Sequence, residues 1–156
     1  MTPTLRTAQP ADAARIAEVL CDARSTFMPY APMAHSPAEV LSWVTEFLVP
    51  SAGTVVAELD GAIVGVMATK REASCSWITQ MAVDPLNVGT GIGSALLQHA
   101  FRTLPSPIRL YTFQANVRAR RFYERYGFRP IRLSDGRENE EHCPDVLYEF
   151  TAHPRA

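Results

Sequence analysis

Closely spaced metal-ligating or disulfide-forming residues are scarce in this chain. The three cysteines are widely scattered, whereas a metal site or a disulfide framework needs short, recurring spacings. The four histidines also lack ligand spacing. We therefore expect reduced thiols and no bound metal. The residues concerned are Cys21, Cys75, Cys143, His35, His99, His142 and His153.

Long apolar runs and an excess of charge are also missing. The N-terminal stretch 1–6 has no apolar signal core, and no apolar run approaches the length of a membrane-spanning helix. The formal net charge is −1, so no overall positive field attracts nucleic acid or an anionic membrane. We expect a cytoplasmic protein that binds neither, and we leave open whether it forms a homodimer.

What is present favours one α/β domain. The chain has no internal repeat or low-complexity segment, and 47% of its residues are hydrophobic, which supports a single domain over 1–156. The apolar patterns predict the order β-α-α-β-β-β-α-β-α-β-β, a mixed sheet with helices on both faces. Strands are predicted over 4–8, 54–59, 62–69, 77–83, 108–113, 129–133 and 145–150. Helices are predicted from Pro10 and over 36–48, 92–104 and 116–126.

Three alternate glycines lie between the predicted strand 77–83 and the predicted helix 92–104. Gly89, Gly91 and Gly93 permit positive φ and close approach of a ligand to the backbone. The first turn of the following helix adds unpaired N–H groups and the positive end of the helix dipole. This junction predicts a phosphate-binding turn. A connection that serves only close packing of strand and helix is the alternative.

Two nucleotide-binding families do not fit this turn. A nucleoside-triphosphatase loop ends in Gly-Lys-Ser/Thr, but Gly93 is followed by Ser94 and Ala95. A dinucleotide fingerprint needs a Gly-x-Gly-x-x-Gly spacing and an acidic residue roughly 20 positions later. This chain has Gly-x-Gly-x-Gly and no acid within 110–114.

A second motif lies one helix and one strand further on. The stretch 116–128 predicts a helix that ends at Gly127. Together with the glycine turn it resembles the GNAT superfamily of acyl-CoA N-acyltransferases. In that family a strand, the turn Gln/Arg-x-x-Gly-x-Gly/Ala, a helix, a strand and Asn-x-x-Ala-x-x-Phe-Tyr-x-x-x-Gly-Phe follow in this order. The matching residues here are Asn116, Ala119, Phe122, Tyr123, Gly127 and Phe128.

The resemblance covers about residues 54–132 and has one departure. Val88 stands where the family usually has Gln or Arg. Because the family's phosphate ligands are mainly backbone N–H groups, we expect binding to survive with fewer side-chain contacts.

The resemblance implies an N-acetyltransferase that moves an acetyl group from acetyl-CoA directly to a primary amine. In the family, strands 77–83 and 108–113 diverge, and the pantetheine arm enters the gap. The implied cofactor-binding residues are Met81, Ala82, Val83, Val88, Gly89, Thr90, Gly91, Ile92, Gly93, Ser94 and Asn116. The resemblance also implies that a basic cluster lies near the 3′-phosphate of coenzyme A. The alternative is that the cluster is only a solvated helix face. It comprises Arg118, Arg120, Arg121 and Arg125.

Acyl transfer needs a proton donor for the thiolate and an acceptor for the amine proton. The resemblance makes Tyr123 the candidate acid, although simple packing against Phe122 is the alternative. The positions where many relatives carry a glutamate hold Thr79, Gln80 and Tyr111, which are poor bases. Proton loss to water, or to the acidic loop 134–141, remains open. A solvated hairpin tip is the interpretation that we favour for that loop.

In the family, the first two helices, their loop and the late hairpin form the acceptor pocket. Candidate acceptor-binding residues are Phe27, Tyr30, Met33, His35, Trp43, Gln80 and Glu141. Packing in a local core is the alternative, and we favour it for Trp43. The acceptor itself, a small-molecule, peptide or protein amine, stays open. A catalytically silent acyl-CoA-binding sensor or partner module is the alternative function.

Overall fold

The computed structural model describes residues 2–152 and contains seven strands in one sheet. His153 lies outside the described residues. The strands are β1 (Thr4–Thr7), β2 (Thr54–Leu59), β3 (Ala62–Arg71), β4 (Ser76–Val83), β5 (Ile108–Phe113), β6 (Arg129–Ser134) and β7 (Asp145–Phe150). The helices are α1 (Ala13–Phe27), α2 (Pro37–Trp43), α3 (Ile92–Thr103) and α4 (Val117–Arg125). The predicted fold class and element order are confirmed.

Two predicted helices begin or end differently. The first starts with a 3₁₀ turn, Pro10–Asp12, before α1. The second is divided: α2 passes into a π-helical segment, Val44–Leu48. Its predicted start is confirmed, because the Ser36 hydroxyl accepts a hydrogen bond from the backbone N–H of Glu39 at 3.2 Å.

The sheet order is β1-β2-β3-β4-β5-β7-β6, and only the central pair β4–β5 is parallel. These two strands pair only at Ser76–Ile108 and Trp77–Arg109. Just beyond that point, a register shift leaves Thr79 as an extra residue in β4 opposite β3. Because a bulge bends its strand, β4 turns away from β5 from Thr79 onward. A gap therefore opens in the middle of the sheet.

Helices cover both faces of the sheet and create two core clusters. Helices α1 and α2 pack on one face, over residues that include Val56 and Val66. Helices α3 and α4 pack on the other, over Val64 and Met67. Gly65 lies between Val64 and Met67 in β3 and lets α3 approach the sheet closely. A Cβ at this position would lie 2.8 Å from Ile92 Cγ2.

Within residues 2–152, no helix has both the length and the apolar character needed to cross a membrane. In the same range, His, Cys, Asp and Glu side chains form no group of three or more that could hold a metal ion.

Candidate active site

A cavity of about 570 Å³, here called the gap cavity, lies where β4 and β5 diverge. Its walls come from both strands, from α4 and from the loop between β6 and β7. They include Ile78, Met81, Leu110, Tyr111, Asn116, Tyr123, Glu138 and Asp145.

A second cavity of about 710 Å³, here called the helix groove, lies between β4 and the pair α1–α2. Its lining combines apolar side chains with carboxylates, of which those of Glu39, Glu46 and Glu140 are exposed at its mouth. It includes Leu20, Met33, Val40, Trp43 and Phe47 together with His35, Glu39, Glu46 and Glu140. Gln80 and Met81 line both cavities, and so do Arg24, Met28 and Glu141. The two cavities therefore meet at the bend of β4.

The glycine turn joins β4 to α3 with two residues in the left-handed region. Gly89 has a φ of 80° and Gly91 a φ of 85°, and nothing lies within 4 Å of a Cβ built on either. Gly91 is the N-cap of α3, and no side chain from the described residues caps this helix. The first N–H groups of α3 thus face an uncrowded backbone cradle, as an anion-binding turn requires.

Gly93 differs from its two neighbours in the motif. Its φ is not positive, and an added Cβ would make only ordinary contacts, the nearest at 3.5 Å from Phe122 Cζ. The turn therefore needs glycine at positions 89 and 91 for backbone conformation, whereas position 93 only lies against α4.

Asp84 anchors the start of the turn. Its carboxylate accepts a hydrogen bond from Leu86 N–H at 3.1 Å and pairs with Arg15 at 2.6 Å. Arg15 also donates to the carbonyl of Ile63 at 3.0 Å. Burial raises the pKa of Asp84, but the hydrogen bonds from Leu86 and Arg15 hold this pKa below its usual value. The ionised carboxylate ties the turn to α1, a contact that nothing in the sequence indicated.

Tyr123 is buried and also lines the gap cavity. Its ring packs edge-on against Phe122 and Phe128, and its hydroxyl donates to Met81 Sδ at 3.7 Å. Burial raises the pKa of Tyr123 to about 12. The sequence left an acid role and simple packing against Phe122 as alternatives; the side chain packs against Phe122 and also lines the gap cavity.

Asn116 is the N-cap of α4 and lines the gap cavity from the side opposite β4. Its Oδ1 accepts a hydrogen bond from the backbone N–H of Ala119 at 3.2 Å. The cap uses the amide oxygen, so the amide nitrogen is the donor that remains for a ligand.

The arginines of the basic cluster of α4 contact different residues. The Arg118 guanidinium lies 4.9 Å from the centre of the Phe27 ring. Arg120 donates to the Tyr148 hydroxyl at 3.0 Å. Arg125 connects to the glycine turn through one intermediate side chain: it lies over Tyr126, whose hydroxyl donates to Ser94 Oγ at 2.6 Å.

The predicted acceptor residues separate into two groups. His35, Gln80 and Glu141 line the helix groove. Phe27 and Tyr30 line neither cavity: Phe27 lies beneath Arg118, and Tyr30 packs edge-on against Phe113.

The core interpretation of Trp43 is wrong. This side chain is 39% exposed and lines the helix groove, whereas Val40 and Val44 supply the buried face of the helix. Positions 40 and 44 are one helical turn apart, and position 43 lies about 100° away from 44 around the axis.

Arg24 is a site residue that the sequence did not reveal. One of its guanidinium nitrogens donates to the Ala31 carbonyl at 3.1 Å and to Glu141 Oε1 at 3.2 Å. The group also lies 5.3 Å from the centre of the Phe113 ring. An arginine in the last turn of a helix ordinarily complements the helix dipole, so its position gave no signal of these contacts.

The acidic loop 134–141 contributes residues to the walls of both cavities. The interpretation of this loop as a solvated hairpin tip is therefore wrong for Glu141. That side chain is only 16% exposed and is paired with Arg24. Glu140 Oε2 lies 3.2 Å from His35 Nε2 at the mouth of the helix groove, and Glu138 lines the gap cavity.

Comparison with known proteins places these features in a family context. The family model described as Acetyltransferase (GNAT) family matches residues 17–128. A search of curated protein sequences found no match.

Solved structures share the fold. PaiA N-acetyltransferase from Thermoplasma acidophilum, in complex with coenzyme A, is 18% identical with a TM-score of 0.76, over 97% of this chain and 100% of that one. The apo form of YjaB from Escherichia coli is 20% identical with a TM-score of 0.77, over 98% of this chain and 100% of that one. The histone acetyltransferase HPA2 and related acetyltransferase from Corynebacterium glutamicum is 26% identical with a TM-score of 0.72, over 100% of both chains.

Proposed function

Since the chain belongs to the GNAT acetyltransferase family, we propose that it transfers an acetyl group from acetyl-CoA directly to a primary amine. The resemblance seen in the sequence is confirmed at the level of the family. One observation carries the proposal for this chain: the gap cavity and the helix groove meet at Gln80 and Met81. A donor in one cavity and an acceptor in the other would face each other there.

The gap suits an extended, phosphate-bearing donor such as coenzyme A, which supplies the acetyl group as a thioester. Beyond Trp77, β4 has no strand partner on the β5 side within the described residues. The backbone of Met81, Ala82 and Val83 can therefore pair with a ligand as with another strand. The open cradle at Gly89 and Gly91 would hold the pyrophosphate, and the amide of Asn116 would reach the arm from α4.

Tyr123 would stabilise the leaving thiolate. With a pKa of about 12 its phenol keeps its proton at neutral pH. Thiols have a pKa near 8.5, so complete proton transfer from this phenol to the thiolate is uphill. We propose that Tyr123 donates a hydrogen bond to the sulfur as charge develops, and that the thiolate is protonated afterwards from water.

The amine would lose its proton to water where the two cavities meet. Gln80 cannot serve as a base at neutral pH, and Glu141 is already paired with Arg24. The rate should therefore rise with pH towards the pKa of the acceptor amine itself.

A catalytically silent acyl-CoA-binding module is the second candidate. It is favoured by the absence of a carboxylate at positions 79, 80 and 111, where many relatives carry the base. The module would bind acetyl-CoA as the enzyme does, but no amine would accelerate release of the thiol.

Two measurements separate these functions. Calorimetry should detect acetyl-CoA binding and no binding of NADH or ATP; binding of NADH without acetyl-CoA would overturn the assignment. A panel of primary amines should then raise free-thiol release from acetyl-CoA, with Tyr123→Phe as the impaired control. If acetyl-CoA binds but no amine raises release above background hydrolysis, the silent module replaces the enzyme.

A further inference from the structure

The mouth of the helix groove carries an excess of negative charge. Four carboxylates line the groove, from Glu39, Glu46, Glu140 and Glu141, against the single guanidinium of Arg24. Four carboxylates against one guanidinium leave three negative charges in excess. Because Arg24 pairs with Glu141, the excess belongs to the other three carboxylates.

These three carboxylates stand on both sides of the mouth. Glu39 and Glu46 lie on the α2 side, and Glu140 lies on the loop before β7. His35 lies between the two sides: its Nε2 is 3.2 Å from Glu140 Oε2, and its Nδ1 is 3.7 Å from Glu39 Oε2. A cation entering the groove would pass between these side chains.

The helix groove also has an apolar lining. Trp43 and Phe47 are one helical turn apart, and their side chains remain 39% and 62% exposed. Leu20, Met33 and Val40 line the same groove. Methylene groups pack well on such a surface, and the faces of aromatic rings also attract ammonium groups.

The inner end of the groove reaches Gln80 and Met81, where the gap cavity begins. We propose that the acceptor is a small linear amine with two cationic ends and an apolar spacer. The inner amine is acetylated at the junction, the spacer lies on Trp43 and Phe47, and the outer ammonium is held by the carboxylates of the mouth. A volume of about 710 Å³ is that of a small-molecule site.

This inference rests on the proposed function and narrows its substrate class. In the step itself, the inner amine forms a C–N bond to the acetyl carbon and the thioester C–S bond breaks. The inner ammonium first loses one proton to water to become nucleophilic, and its nitrogen loses a second proton to water as the amide forms. The released thiolate gains one proton from water, so one proton is released overall. The outer ammonium takes no part in bond making and acts only through charge.

Three compounds of equal length test the proposal: 1,8-diaminooctane, octylamine and 8-aminooctanoate. Their second ends are cationic, uncharged and anionic. With saturating acetyl-CoA, kcat/KM measured from thiol release should be highest for 1,8-diaminooctane, lower for octylamine and lowest for 8-aminooctanoate. We expect about tenfold between the diamine and octylamine, beyond the statistical factor of about two for equivalent amines. Added salt should reduce the difference. Equal rates for the three compounds would overturn the proposal.

Removing one charge at the mouth should weaken this preference. Glu46→Gln should lower kcat/KM for 1,8-diaminooctane by about three- to fivefold and lower that for octylamine by a smaller factor. Glu72→Gln is the matched control, since Glu72 lies at the turn between β3 and β4 and lines neither cavity. An equal loss for both amines would contradict a charge-based role of Glu46.

The two proposals fail in different ways. If no amine raises thiol release, the proposed function fails, and calorimetry of 1,8-diaminooctane against octylamine still tests the groove. Tighter binding of the diamine then supports the groove's preference for two cationic ends. Equal or absent binding of both overturns it.

Discussion

At the scale of single residues, Tyr123 combines a buried ring with a hydroxyl that reaches the gap cavity. Tyr123→Phe keeps the ring and removes the donor. We expect kcat to fall about 100-fold, with the free energy of unfolding changed by less than about 1 kcal/mol, because within residues 2–152 the hydroxyl bonds only to the Met81 sulfur. Thiol release and urea denaturation measure the two effects. Unchanged kcat would remove Tyr123 from the chemistry.

The high pKa of Tyr123 has its own consequence for pH dependence. Folding raises this pKa from 10.0 to about 12. The contribution of the buried neutral phenol to stability is therefore complete below pH 10 and is lost as the pH rises towards 12. Wild type should lose more stability than Tyr123→Phe across this window in denaturation measurements. Parallel losses would show that the phenol titrates normally.

Asn116 has a structural and a binding role that substitution can separate. Asn116→Ala removes the cap of α4 and should lower the free energy of unfolding by about 1 kcal/mol. Asn116→Ser keeps a capping oxygen and should remain close to wild type. Both variants lose the amide nitrogen, so both should bind coenzyme A more weakly in calorimetry. Normal binding by the serine variant would limit Asn116 to capping.

At the scale of elements, the position of α3 on the sheet depends on Gly65 in β3. A methyl group there would lie 2.8 Å from Ile92 Cγ2 and 3.3 Å from Leu96 Cδ1. Gly65→Ala should therefore cost about 1–3 kcal/mol of stability and weaken coenzyme A binding by displacing the start of α3. Gly93→Ala is the stability control, because its methyl group makes only ordinary contacts. Equal stability of the two variants would contradict this close approach.

At the scale of the whole molecule, Arg24 joins four segments around both cavities: α1, the loop after it, the end of β5 and the loop before β7. Arg24→Met should cost about 1–2 kcal/mol of stability, measured by urea denaturation. Adding Glu141→Gln removes the unpaired carboxylate and should restore part of the stability. Strictly additive losses would mean that the two side chains are not coupled.

Much of the fold and part of the site were predictable because their signals are local. Gly89 and Gly91 of the turn, and Gly127 at the end of the helix predicted over 116–126, adopt a positive φ, a conformation that few residue types take up. The division of the helix over 36–48 and the exposure of Trp43 were not predictable. They depend on which side of α2 meets the sheet, and periodicity gives only a weak signal for so short a helix.

The sequence by itself determined the element order, the family and the position of the glycine turn, since close spacings along the chain encode each of them. Only the tertiary structure decided where β4 leaves β5, that the two cavities meet at Gln80 and Met81, and that Arg24 closes both with Glu141. Arg24 and Glu141 are 117 positions apart. No local pattern records such a contact, because it arises only when the packed core brings distant segments together.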